Sequence, residues 1–262
     1  MLKKTLKGLA VGLGLAVLAF PSWAAIDTAE AMNLSGMQRM LSQRIAKSYL
    51  MLGAQIRTEV ASQQLDQSVA KFESNYLALN AYAPSAEIRT ALSDAGQTWQ
   101  LYRQLALSPP DKQQALQVLE LSDRLLAQSE QVVQLIERHA GNSGAQLVNR
   151  SGRQRMLSQR IAKLYVALSW RLPVSDLEGQ FQQAVDEFEL ALQNLQGAEQ
   201  NTPAIAQALK QAEAQWRFSR AGFRLSADSR YVPTVISTTT ETLLWQMNDL
   251  TKAYEGLMQA GS

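Results

Sequence analysis

The sequence predicts an all-α protein: two tandem up-down four-helix-bundle repeats, eight helices in all, following a signal peptide. Three observations lead there. A fifteen-residue stretch occurs twice, as NLSGMQRMLSQRIAK at 33–47 and NRSGRQRMLSQRIAK at 149–163, with thirteen identical positions at an offset of 116. An internal repeat of this kind makes each copy one folding unit of the same type. The six prolines beyond the signal (Pro84, Pro109, Pro110, Pro173, Pro203 and Pro233) all stand where helical periodicity breaks, where proline does least harm. Finally, no segment shows the strict alternation of a half-buried strand.

Taken in order, residues 1–24 read as a secretory signal. Lys3, Lys4 and Lys7 form its basic start, Leu9 to Phe20 its apolar core, and Ser22-Trp23-Ala24 a small-x-small cleavage site. The apolar run is shorter than the ~20 residues of a spanning helix, which favours cleavage over a retained anchor. The expected product is periplasmic. Removing three lysines leaves 22 basic against 23 acidic residues, so the basicity belongs to the signal and no nucleic-acid surface is expected.

The first repeat is expected over 25–141 and the second over 142–262. The periodicity predicts helices at 28–52, 58–82, 86–107 and 111–140, then at 144–171, 175–196, 203–225 and 233–259. Asp27 to Glu30, Ser143 to Gln146 and Ser175 to Glu178 have capping-box spacing. Short connections make neighbouring helices antiparallel. The repeat continues beyond the motif: Tyr49 matches Tyr165, Phe72-Glu73 matches Phe188-Glu189, Trp99 matches Trp216, and Leu125-Leu126 matches Leu243-Leu244. The aromatics, with Tyr76, Leu77 and the fourth-helix leucines, stand at core spacing.

Within the motif, Leu34, Met37, Leu41, Ile45 and Leu52 share one helical face, the expected core stripe. The opposite face carries Ser35, Gly36, Arg39, Ser42, Gln43 and Ala46, repeated as Ser151, Gly152, Arg155, Ser158, Gln159 and Ala162. It is small and polar with one charge at its centre, where a solvated face would be filled with Glu, Lys and Gln. A helical glycine costs about 1 kcal/mol against alanine, so Gly36 and Gly152 point to a close approach of backbone or ligand. Arg44 and Arg160 flank the apolar face, where surface charges or salt bridges to the second helix explain them as well as ligand binding does. Lys47 and Lys163 read as snorkelling side chains.

The pattern N-x-S-G-x-Q-R-M-L-S-Q-R-I-A-K resembles the signature of the N-terminal sensory domain of type IV pilus chemoreceptors. It is also similar to the periplasmic P-box of bacterial nitrate/nitrite sensor kinases, where N-x-(A/S)-G-x-x-R-M-x-S-x-R recurs on the first helix. The resemblance implies a periplasmic four-helix bundle whose first-helix arginine reaches an anion between two protomers, and Arg39 and Arg155 fall on that position. Two departures stand out. The sensors are bounded by transmembrane helices and followed by signalling modules, which these 262 residues do not contain. Met37 also stands where the second copy has Arg153.

The chemical inventory argues against an enzyme. His139, the single histidine, sits at a helix end beside Gly141 and reads as solvated. There is no cysteine, no H-E-x-x-H and no phosphate-binding glycine loop, so no metal site, cofactor or catalytic residue is expected. Ser42 and Ser158 have no histidine to activate them. Binding remains: a guanidinium offers a flat, permanently charged fork of donors suited to planar oxyanions. The expected ligand residues are Arg39, Arg155, Gly36, Gly152, Ser35, Ser151, Ser42, Ser158, Gln43 and Gln159. One function they would serve is a soluble periplasmic sensor of a small inorganic anion such as nitrate or nitrite, with the two arginines meeting across a pseudo-two-fold axis or pairing in a homodimer. The alternative is a ligand-free helical accessory for a type IV pilus component or membrane receptor, with the motif face as an open protein–protein seam.

Overall fold

A computed structural model describes residues 26–227 and 231–260, so the signal and its cleavage site lie outside the described residues. Among them are eight helices and no strand: α1 Thr28–Gly53, α2 Thr58–Tyr82, α3 Ala86–Ala106, α4 Lys112–Ala140, α5 Ser143–Ser169, α6 Leu177–Gln196, α7 Pro203–Ala227 and α8 Pro233–Ala260. No helix among the described residues is long and apolar enough to cross a membrane.

The helix starts follow local side-chain chemistry. Asp27 accepts from the Glu30 amide at 2.7 Å, Ser85 from Ile88 and Asp111 from Gln114, each satisfying an orphan donor of a first turn. Two of the expected caps are displaced. Asn142, not Ser143, caps α5 by accepting from the Ala145 amide at 2.9 Å. At α6 the residue before the helix is Asp176, in the left-handed region with φ 55° and without a side-chain cap bond, so Ser175 plays no capping part. Gly141 ends α4 at φ 64°, a conformation that glycine adopts without a Cβ penalty. Only Gly141 and Asn142 separate α4 from α5.

The two motif helices lie at the centre. α1 packs against α2, α4 and α5, and α5 packs against α6, α8 and α1. α3 rests mainly on α4 and α7 on α8, while α2–α3 and α6–α7 meet only sparsely. α1 and α5 run parallel in the register of the repeat. Gly36 meets Gly152 towards one end, and Gly53 meets the Trp170 ring at the other, where a Cβ on Gly53 would lie 2.2 Å from the ring.

This central position inverts the expected burial of α1. Its polar face is wholly buried against α5 and its neighbours, whereas Leu34, Met37 and Leu52 of the expected core stripe lie at the rim, only partly buried. Leu41 and Ile45 are buried as expected. Periodicity separates faces of unlike polarity, but a helix ringed by others buries both. Equivalent aromatic pairs anchor the flanks: Phe72 stacks on Trp99 with centroids 4.0 Å apart, and Phe188 on Trp216 at 4.2 Å. Such pairs add about 0.5–1.5 kcal/mol beyond burial. Leu77, expected in the core, is instead 51% exposed on α2.

Candidate functional site

Arg39 and Arg155 are completely buried, at 0% exposure. A methyl group placed on Gly36 would lie 3.3 Å from Arg155 Nη2 and 3.4 Å from Arg39 Nη2, and one on Gly152 would meet the same two nitrogens at 3.2 and 3.4 Å. The glycine pair is therefore what lets both guanidinium groups enter the seam. Each arginine also reaches across it, Arg39 Nη2 donating to the Asn149 carbonyl at 3.2 Å and Arg155 Nη2 to the Asn33 carbonyl at 3.1 Å. Asn33 and Asn149 are equivalent positions of the motif, so the exchange is reciprocal, as across a pseudo-two-fold axis. The supporting bonds repeat too: Asn33 Nδ2 donates to Glu255 on α8, and Asn149 Nδ2 to Glu137 on α4.

Neutralisation of the two charges is not reciprocal. Arg39 Nη1 donates to Glu130 Oε2 on α4 at 2.6 Å. The equivalent residue on α8 is Asn248, whose Oδ1 accepts from Arg155 Nη1 at 3.2 Å beside Asn33 Oδ1 at 2.7 Å. Arg155 thus has amides and a carbonyl but no carboxylate as partners. Burial, and then the charge of Arg39, lower its pKa to about 9, with Glu255 opposing. Burial also lowers Arg39, where Glu130 opposes. Burial works to raise Glu130, but the Arg39 charge and hydrogen bond carry it below the ordinary carboxylate value. Arg153 explains the departure noted in the motif: it pairs with Glu130 at 3.4 Å and with Glu187, while its counterpart Met37 is uncharged and packs, partly buried, against the hydrophobic core.

The other expected ligand residues hydrogen-bond to backbone carbonyls, not to the guanidinium groups. Ser35, Ser42, Ser151 and Ser158 each donate to the carbonyl three residues earlier in their own helix, at 2.8–3.1 Å. Gln43 Nε2 donates to the Ser122 carbonyl on α4, and Gln159 Nε2 to the equivalent Thr240 carbonyl on α8. Hence the structure brings together Arg39, Arg155, Gly36 and Gly152, while the serines and the glutamine Nε2 atoms hydrogen-bond to helix backbone. Both arginine Nε atoms and both glutamine Oε1 atoms are buried without a hydrogen-bond partner among the described residues.

About two helical turns along the seam lies a second charged level. Lys47 and Lys163 are 0% exposed, contrary to the snorkelling expected of them. Lys47 Nζ donates to Glu241 on α8 at 2.8 Å, joined there by Arg44. Lys163 Nζ donates to Asp123 on α4 at 2.7 Å, joined by Arg160 at 2.8 Å. The ion pairing is crossed, each first-copy cation meeting a second-copy acid and the reverse, so the salt bridges run between the copies, while Arg44 Nη1 also donates to Ser68 Oγ on α2 at 2.9 Å. Burial lowers each lysine to about 8 against its carboxylate partner. A desolvated ammonium persists here because a partner is at hand-shaking distance.

Motif-level reading missed all of these acids, yet a signal existed. Asp123, Glu130 and Glu137 recur every seven residues on α4, and Glu241, Asn248 and Glu255 do so on α8. A spacing of seven places them on one helical face, the face that meets the motif helices.

The family model for the N-terminal region of type IV pili methyl-accepting chemotaxis transducers matches residues 21–125 and 139–229, a stretch over each motif copy and well over half the chain. The chain belongs to this family. No curated protein and no solved structure matches it. Within this transducer family, then, the chain carries the motif twice, its two motif helices packed on each other.

Proposed function

We propose that the chain is a non-catalytic periplasmic accessory of a type IV pilus chemotaxis assembly. It consists of two four-helix units fused in tandem that present their outer helices to a membrane receptor or pilus component. Membership of the transducer N-terminal family carries this reading. The motif faces are spent on one another at the α1–α5 seam, so the contact surface for a partner lies on α2, α3, α6 and α7 rather than on the motif. The test is calorimetry and size exclusion of the processed chain with the periplasmic region of a type IV pilus chemoreceptor and, separately, with the pilin. Co-elution with either supports the reading; no heat and no co-elution at micromolar concentrations defeats it.

A second reading, sensing of a small anion related to that of the nitrate/nitrite P-box, is favoured by one observation: Arg155 is buried with no carboxylate partner beside a second buried guanidinium. Two such charges ~5 Å apart repel by about 3 kcal/mol at an effective dielectric near 20. An anion between them reverses the sign, and each charge-assisted hydrogen bond adds roughly 1.5–3 kcal/mol. A rise in melting temperature with sodium nitrate, absent in Arg155→Gln, is the expected outcome; an unchanged wild-type melting curve rejects it.

A further inference from the structure

We infer that the outward face of α8 is a self-association surface: two copies of the chain pair through antiparallel α8 helices, with Trp245 of each seated on the partner's Gly256. This face is distinct from the α2, α3, α6 and α7 surface proposed for the receptor or pilus contact. Thr242, Trp245, Asp249, Lys252, Gly256 and Gln259 are all exposed and recur at alternating intervals of three and four. They therefore form one stripe, with the spacing of a seam between two helices. Trp245 is 55% exposed within it. A single exposed aromatic identifies no partner. What identifies one is that the stripe complements its own reverse.

Rotated by a half-turn about a point midway between Leu250 and Thr251, the stripe meets its own copy. Asp249 then faces the partner's Lys252, Trp245 the partner's Gly256, and Thr242 the partner's Gln259, each contact occurring twice. Opposite charges, a large ring against a missing side chain, and a hydroxyl against an amide all fall on one two-fold, as an isologous interface requires. A methyl group placed on Gly256 would meet nothing within 4 Å, so the helix surface there is open to receive a ring. Neither Asp249 nor Lys252 forms an ion pair within its own chain among the described residues. Antiparallel pairing also sets the two helix dipoles against each other favourably.

α4 provides the internal comparison. In the alignment that matches Glu130 with Asn248, its equivalent positions are Arg124, Ala127, Gln131, Gln134 and Arg138. They offer no ring, no opposed charges and no gap, so the duplicated helix keeps an ordinary solvated face. The α8 stripe is thus particular to the second copy. Overlap of the two helices extends over roughly 30 Å, a small interface for which a dissociation constant of about tens of micromolar is expected. At the low micromolar concentrations of an unfolding experiment the chain is then monomeric.

The experiment is sedimentation velocity on the purified chain lacking residues 1–24, from about 1 µM to about 500 µM. Wild type should pass from monomer to dimer across that range, and Trp245→Ala should weaken association by about tenfold or more. Gly256→Arg installs the residue of the equivalent α4 position and should keep the chain monomeric throughout. Charge tests the register. Asp249→Lys places lysines alone at the centre of the seam and Lys252→Asp places aspartates alone, so neither variant should dimerise by itself. Mixed in equal amounts they should form a heterodimer, because both ion pairs are then restored. All four positions are exposed, so helical circular dichroism should match wild type; should Gly256→Arg lose it, Gly256→Gln serves instead. Wild type that stays monomeric at about 500 µM overturns the inference and leaves the α8 face to a different partner. A dimer that ignores both Trp245→Ala and Gly256→Arg lies elsewhere on the chain, and failure of the two charge variants to combine rejects the antiparallel register; either result overturns the inference.

Discussion

The seam between α1 and α5 crosses two charged levels of equal depth that solve the problem of buried charge differently. At the lysine level each ammonium has a carboxylate from the other copy, Glu241 for Lys47 and Asp123 for Lys163. At the arginine level Glu130 serves Arg39 and amides serve Arg155. Burying a charge costs several kcal/mol after relaxation, which a well-placed opposite charge offsets and an amide offsets less. The lysine level is therefore complete in itself. At the arginine level Arg155 has no carboxylate in direct contact, and Glu255 acts on it from beyond Asn33.

The largest expected effect tests the completeness of the lysine level. Glu241→Gln strands both Lys47 and Arg44 and should cost about 3–5 kcal/mol in urea unfolding. Its counterpart Asp123→Asn, at a more exposed carboxylate, should cost about 1–3 kcal/mol. Equal costs at the two positions would mean that depth of burial does not set the strength of the pairs. Next comes the glycine contact that admits the arginines. Gly36→Val crowds both Nη2 atoms and should destabilise by about 1–3 kcal/mol through overpacking; an unchanged unfolding midpoint would mean that the helices have room to part.

Titration sharpens the comparison further. Lys47 and Lys163 drop from 10.5 to about 8 on folding. Above pH 8 the unfolded chain thus holds more protons than the folded one, and stability should rise with pH. Tyr102 is raised well above 10 by burial and opposes this in stronger alkali, so the rise is to be sought between about pH 8 and pH 9.5. The Lys47→Met/Lys163→Met variant should flatten the part below pH 9, above which Arg155, lowered to about 9 by burial, adds to the rise. Glu130, Asp123 and Glu241 are all lowered, and their contribution is present above the ordinary carboxylate range and lost as the pH falls through their folded values. The smallest effect belongs to the serines. Ser42→Ala and Ser158→Ala each remove a hydroxyl bonded to its own helix and should cost about 1 kcal/mol or less, with no change in nitrate response. A larger loss would mean that these serines bind something beyond their own backbone.

The helices were legible because prolines and periodicity bound them, and α1 through α8 fall within about two residues of the expected spans. The convergence of Arg39 and Arg155 was legible in the glycines that accompany them. What was hidden lay in interactions between the copies. A wheel drawn for one helix cannot show that the polar face of α1 meets the polar face of α5, so Lys47 looked like a snorkelling side chain and Leu34 like core. Nor did the serines declare that they bond to their own backbone, since a hydroxyl in a close-packed seam and one in a ligand site look alike in sequence. Extending the repeat alignment from Leu125-Leu126 to the heptad-spaced acids would have exposed Glu130 and Asn248 as unlike counterparts.

The two-residue connection through Gly141 and Asn142 changes what kind of equilibrium the seam obeys. Copies on separate chains would meet only as often as their concentration allowed. Joined this closely, each sees the other at an effective concentration on the order of millimolar, independent of how much protein is present. Opening and closing of α1 against α5 is then a first-order process, and the unfolding midpoint should hold constant under dilution, where a seam built from two separate molecules would weaken with every tenfold step.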